Sequence, residues 1–201
     1  VGSNEGITVF RPGYAPHNLG ITNGLADDFG QCFFLDRENL LWIGGMRGLT
    51  KFPGMGLSSY NRKVGGLSED EVSALIQVDE GLMVLGHQSS LTLLDRERTR
   101  VNLPINDPWQ RTLAMAQTQD GRVWIAASSS GLWTFDVKTR LFEHIVSPVA
   151  SDKAADFVMV DSKDRPIALF HGTIWRLEDG KWTQLNLPQR MLGGYLRQVV
   201  E

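Results

Sequence analysis

The sequence predicts an all-β chain: a segment of a β-propeller built from four-stranded antiparallel blades, with about four complete blades and a partial blade at each end. Three observations carry this. A repeat of 41 or 42 residues runs through the chain, each repeat breaks into four short apolar runs separated by turn residues, and helical spacing is nowhere sustained.

The repeat appears when Gly6 to Phe10, Gly48 to Phe52, Ser90 to Leu94, Gly131 to Phe135 and Thr173 to Leu177 are aligned, at successive offsets of 42, 42, 41 and 42. Two apolar columns follow: Ile7, Leu49, Leu91, Leu132 and Ile174, then Phe10, Phe52, Leu94, Phe135 and Leu177.

The strands are expected in order. Repeat one gives Gln31 to Leu35, Leu40 to Gly44, Leu49 to Phe52 and a weaker edge strand near Tyr60. Repeat two gives Val72 to Val78, Leu82 to Gly86, Leu91 to Leu94 and Arg100 to Leu103. Repeat three gives Leu113 to Thr118, Val123 to Ala127, Leu132 to Phe135 and Leu141 to Ile145. Repeat four gives Phe157 to Val160, Pro166 to Leu169, Ile174 to Leu177 and Trp182 to Leu185. Asp-Gly type turns close the first hairpin of each repeat because those residues tolerate positive φ. Trp42 and Trp124 share a column and are expected to pack between blades, with Pro166 in that column in repeat four as a sign of a weaker or bulged strand.

The expected organisation is one propeller domain or part of one, with a blade remnant over 1–20, blades at about 21–63, 64–105, 106–148 and 149–190, and the start of another over 191–201. Residues 1 to 10 resemble only second and third strands, and Tyr195 to Glu201 only a first strand. A chain cut from a larger propeller is the favoured reading, and a small ring closed by joining the ends is the alternative. The start at Val1 fits an excised piece.

Composition narrows the function. With 42% hydrophobic and 21% charged residues, the chain reads as an ordinary globular protein with a sizeable core. A net charge of -3 with scattered Lys and Arg excludes a phosphate-backbone footprint, so no nucleic acid is expected as partner. No apolar run approaches the roughly 18 residues of a membrane span, so membrane attachment would come only through segments outside this sequence. One cysteine, Cys32, excludes an internal disulfide framework and reads as a small buried hydrophobe.

The strings LWIGGMRGLTKF and VWIAASSSGLWTFD, preceded by DRENL and DGR, resemble the two-component regulator propeller repeat. GLADDFGQCFFLD, echoed by GLSEDEVSALIQVD, is similar to the segment that opens each blade in that family. Repeat two has Val84 in place of the tryptophan, and repeat four lacks both the tryptophan and the glycines. The resemblance implies a sensor: the periplasmic propeller of a membrane-bound histidine kinase, hybrid kinase or diguanylate cyclase that perceives a small molecule or oligosaccharide, without catalytic activity of its own.

In a propeller, the loops joining second to third strands and those leading into each next blade share one face, a common place for ligands. The candidates there are Arg47, His87, Gln88, Trp109, Arg111, His171 and Tyr195, with Trp109 as an aromatic platform between Asp107 and Arg111. Loop solvation and blade packing are the plainer roles for each of them, and Ser128 to Ser130 reads as a turn. No catalytic residue, metal or cofactor is expected, because His17, His87, His144 and His171 form no local metal motif and no nucleophile elbow or P-loop occurs. The acids Asp36, Asp79, Asp120 and Asp161, one per repeat, are read as hairpin residues rather than acid–base pairs. The alternatives are a propeller lyase or hydrolase with a channel-lining active site, and a protein interaction platform, with a homodimer as an expected partner state.

Overall fold

In the computed structural model, residues 2–3, 6–10, 13, 15–52, 58–63, 66–79, 81–95, 100–104, 111–149 and 154–186 are described. The chain divides into two compact units, 1–105 and 106–201.

The first unit holds three antiparallel sheets. One contains β1 (Gly2–Ser3), β2 (Gly6–Val9) and β3 (His17–Leu19) in that order. The next contains β4 (Gly30–Leu35), β5 (Leu41–Gly45), β6 (Gly48–Phe52) and β7 (Ser58–Tyr60), and the third β8 (Ala74–Asp79), β9 (Leu82–Gly86), β10 (Ser90–Leu94) and β11 (Arg100–Pro104). The second unit holds two: β12 (Thr112–Gln117), β13 (Arg122–Ala127), β14 (Gly131–Asp136) and β15 (Phe142–Ile145), then β16 (Phe157–Val160), β17 (Pro166–Phe170), β18 (Thr173–Glu178) and β19 (Lys181–Leu185). Every sheet is a meander in which consecutive strands pair. The described residues contain no α-helix, only a 3-10 turn at Ile21–Asn23.

The inner strands β5, β9, β10 and β13 bury residues of both faces because a neighbouring sheet covers them, whereas the outer strands β7, β15 and β19 are half-buried or exposed. The first apolar column is the seam: Leu49, Leu91 and Leu132 are wholly buried and Ile7 and Ile174 nearly so. The second column is less uniform, since Phe135 is buried while Phe10 lies past the end of β2 and is 63% exposed. Trp42 packs with Leu49, Val72, Met83 and Leu85 across the second and third sheets. In the second unit Trp124 does the same with Ala126, Val158, Ala168 and Phe170. The chain entering β8 and that entering β16 are also hydrogen-bonded to the sheet before, Val72 N–H donating to the Gly45 carbonyl at 2.8 Å and Ala155 N–H to that of Ala127 at 3.2 Å.

Turn chemistry sets the hairpins. Asn39, Gly81, Gly121 and Asp164, one in each first hairpin, adopt positive φ of 60°, 75°, 89° and 61°. Gly48 has φ of 146°, and a Cβ there would meet the Tyr60 carbonyl at 2.2 Å, so the glycine lets β6 begin against β7.

Three expectations are corrected. Pro166 pairs with Val160 as the first residue of β17, and Ile167, opposite Met159, takes the place that Trp42 and Trp124 hold opposite Phe34 and Ala116. That hairpin carries no bulge; bulges fall in the first hairpins of the other three four-stranded sheets. The four turn acids are not equivalent either: the hairpins align Asp36 with Thr118 and Asp161, whose N–H groups donate to Leu40, Arg122 and Arg165 carbonyls, while Asp120 sits two residues later and Asp79 lies within β8. Finally, the first sheet has three strands rather than two, because His17–Leu19 adds to β2.

Candidate functional site

The loops joining second to third strands are braced by one recurring device. Asp27, on the segment leading into β4, accepts a hydrogen bond from Met46 N–H at 2.8 Å. Glu69, leading into β8, accepts from Ser89 N–H and Oγ at 2.9 Å each, and from Ser90 Oγ at 2.6 Å. Asp156, leading into β16, accepts from His171 N–H at 3.0 Å. In the sheet of β12 the same position, Ser128 N–H, donates at 3.0 Å to the Arg111 carbonyl. A carboxylate accepting an amide of a short loop satisfies a donor that the strand ladder has abandoned and fixes the loop backbone. Asp28 and Asp70 do the complementary job one residue on, holding Ile21 and Arg62 N–H at 2.7 and 2.8 Å.

Arg47 and Gln88 are exposed on two such loops of the first unit, and His171 is exposed on one in the second, at a left-handed φ of 45°. Arg111 is half-buried at the entry to β12. Trp109 and Tyr195 lie outside the described residues. His171 therefore presents its side chain from a loop whose backbone is already held.

His87 is placed differently: it is 0% exposed. Its Nδ1 lies 2.5 Å from the Glu71 carbonyl, which can only accept, so Nδ1 carries the proton. Nε2 lies 2.9 Å from Thr92 Oγ1, whose single hydroxyl proton is shared between the ring and Asn102 Oδ1, 2.9 Å away, with Ser68 Oγ at 3.0 Å. Burial pushes the imidazole below its ordinary value, outweighing the Glu71 carbonyl and the carboxylates of Glu69 and Glu71 that favour its charged form. The ring is thus a neutral interior peg joining the lead-in segment to β10. Burial would raise the Glu69 carboxyl, but the hydrogen bonds from Ser90 and Ser89 outweigh it and hold the group below the usual carboxylate range.

His144 sits on β15 with its ring 4.8 Å from that of Trp133, edge to face, and Nε2 3.1 Å from the Ser130 carbonyl. Ser128, Ser129 and Ser130 form a turn. Cys32 is half-buried against Val72, and burial pushes its thiol up to about 12, so it stays protonated. Among the described residues, no group of three or more His, Cys, Asp or Glu is disposed to hold a metal ion. Two cavities open at the opposite end of the strands, at the first hairpins, and none of the candidate ligand-contact residues Arg47, His87, Gln88, Arg111 and His171 lines them.

No protein-family model and no curated protein matches this sequence. Solved structures do match in fold. Virginiamycin B lyase from Staphylococcus aureus superposes with a TM-score of 0.75 at 8% identity, over 92% of this chain and 64% of that one. The extracellular domains of two B. thetaiotaomicron proteins described as hybrid two-component systems superpose with TM-scores of 0.65 and 0.67, at 17% and 13% identity, over 79% and 85% of this chain. The fold is that of a β-propeller. Its four-stranded sheets are blades, and the chain spans 22% and 23% of the two extracellular domains. The blade-opening acids Asp27 and Glu69 stand in the GLADD and GLSED strings, while Asp156 has no such signature and is found only through its bond to His171.

Proposed function

We propose that this propeller segment is the ligand-sensing, extracytoplasmic part of a bacterial signal-transduction receptor, that it is not itself catalytic, and that it recognises a small molecule or oligosaccharide as part of a dimer. The observation that carries the reading is the bracing of the loops: blade-opening carboxylates hold loop backbones, so that Arg47, Gln88 and His171 side chains are offered from fixed positions. Preorganised loops spare a binder the ordering cost of closing on its ligand. The fold shared with extracellular domains of hybrid two-component systems supports the sensing role and the location. No helix among the described residues is long and apolar enough to cross a membrane, so an anchor would belong to another segment.

The test is a thermal-shift screen of the purified chain against an oligosaccharide panel. A ligand present at 100 times its Kd adds about 2.7 kcal/mol of stability. A saturable shift lost in Arg47→Ala or His171→Ala supports the reading. The likeness to virginiamycin B lyase favours a lyase as the second reading; turnover of any screened compound by the isolated chain would establish it and overturn the first.

A further inference from the structure

A cavity of about 440 Å³ lies between the blades of β4–β7 and β8–β11, at the hairpin end of the strands. Its floor is aromatic: Trp42 and Tyr60 stack with centroids 6.5 Å apart and planes 26° apart. Among the described residues, three carboxylates line it, Asp36, Glu38 and Asp95, with one base, Lys51. That base is already seated as a guest, with Nζ 4.9 Å from the centre of the Trp42 ring. Asp36 Oδ2 accepts the indole N–H at 2.7 Å, which pushes electron density into the ring and strengthens its attraction for a cation.

The second unit supplies an internal comparison. A cavity of about 500 Å³ occupies the equivalent place between the blades of β12–β15 and β16–β19, floored by Trp124. There Thr134 stands opposite the tryptophan where Lys51 stands opposite Trp42, and the walls carry Arg122, Lys163 and Arg165 with four carboxylates, Asp120, Asp164, Glu178 and Asp179. The groove, its aromatic floor and its wall acids are therefore common to the repeat, whereas an ammonium seated over the floor, with no other base among the described lining residues, belongs to the first one.

We propose that the groove between the blades of β4–β7 and β8–β11 binds a small organic ammonium ligand, whose cationic head takes the place of Lys51 Nζ over Trp42. Glu38 and Asp95 supply the countercharge. The site lies away from the braced loops and goes beyond the sensing reading.

The test titrates the purified chain with choline and with its neutral carbon analogue, 3,3-dimethyl-1-butanol, following the indole N–H resonances by NMR, with Trp42 identified by its loss in Trp42→Phe. Choline is expected to shift the Trp42 resonance saturably at millimolar concentration and leave Trp124 in place, and the neutral analogue is expected to do neither. Lys51→Met removes the internal competitor and should tighten choline about two- to five-fold, the worth of one partly exposed cation–π contact, while Glu38→Gln should weaken it. No saturable shift in either the wild type or Lys51→Met, an equal response to the neutral analogue, or unchanged affinity in Lys51→Met would overturn the proposal. Oligosaccharide binding at the loops has its own readout, so the two ideas fail separately.

Discussion

Asp36 is a turn residue whose removal should be felt in the core. It is 6% exposed and accepts three hydrogen bonds: Oδ1 from Glu38 and Leu40 N–H at 3.0 and 2.7 Å, Oδ2 from the Trp42 indole at 2.7 Å. In Asp36→Ala the indole N–H stays buried beneath its neighbours with no acceptor, at about 1–3 kcal/mol, and the two partly buried amides add about 0.5–1 kcal/mol between them because water can reach them. The expected loss is about 1.5–4 kcal/mol, read as a lower urea midpoint at unchanged slope, followed by tryptophan fluorescence. Thr118 provides the comparison: its hydroxyl accepts the Trp124 indole at 3.3 Å and donates to Asp120 Oδ1 at 2.6 Å, so Thr118→Val orphans the same kind of buried N–H without freeing backbone amides and should cost about 1–3 kcal/mol. Asp36→Asn keeps the Oδ1 bonds but turns an amide N–H toward the indole, and should fall between alanine and wild type. A midpoint for Asp36→Ala within about 0.5 kcal/mol of wild type would refute the reasoning, since that is the range of an ordinary surface substitution.

Two further perturbations probe the braced loops. Burial makes the imidazolium of His87 costly, so just below the ordinary value of about 6.5 the unfolded chain binds a proton that the folded chain does not; stability then falls as pH drops, by at most about 1.4 kcal/mol per unit, until the depressed folded value is reached. The urea midpoint of wild type should accordingly decline between pH 7 and pH 5 more steeply than that of His87→Gln, and parallel slopes would contradict the assignment. Glu69→Ala removes the acceptor of three loop hydrogen bonds, so hydrogen exchange at the Ser89 amide should accelerate at least about ten-fold, the equivalent of one lost bond of about 1.4 kcal/mol, while amides of β13 are unchanged.

The blades were legible because two signals agreed: the repeat fixed where each meander begins, and turn residues punctuated its strands. Phe157–Val160 and Leu82–Gly86 fall where the apolar runs end. Val72 and Ser73 were read as strand but precede β8, since Val72 N–H is spent on Gly45 of the preceding blade; alternation within one segment carries no trace of such a partner. Pro166 was misplaced for a similar reason. The loop after β13 has three residues, 128–130, and that after β17 has two, 171–172, so spacing carried over from repeat three lands one residue early. At the candidate site, the GLADD and GLSED strings were visible, but their purpose lies 19 or 20 residues downstream in the amides they hold. His87 read as a loop residue because its covering, the Glu71 carbonyl, comes from the strand lead-in 16 residues earlier.

The two ends of the strands are held in different ways. At the braced end, the carboxylates hold the backbone amides of Met46, Ser89 and His171, and only at Glu69 do side chains, the Ser89 and Ser90 hydroxyls, join those bonds. A loop fixed through its backbone can change its side chain without loosening, provided the new residue tolerates the local φ; at His171, with φ of 45°, that favours Asn or Gly over a branched residue. At the hairpin end the opposite holds, because the groove floors are themselves core residues: Trp42 and Trp124 are each about 95% buried and tied through their indole N–H to Asp36 and Thr118. There the floor is fixed by packing, and only the walls are free to differ, as Leu40 and Arg122 do at equivalent places in the two grooves. One repeat thus offers two kinds of candidate surface, one open to exchange of loop side chains on a held backbone, the other to exchange of wall charges around an aromatic floor.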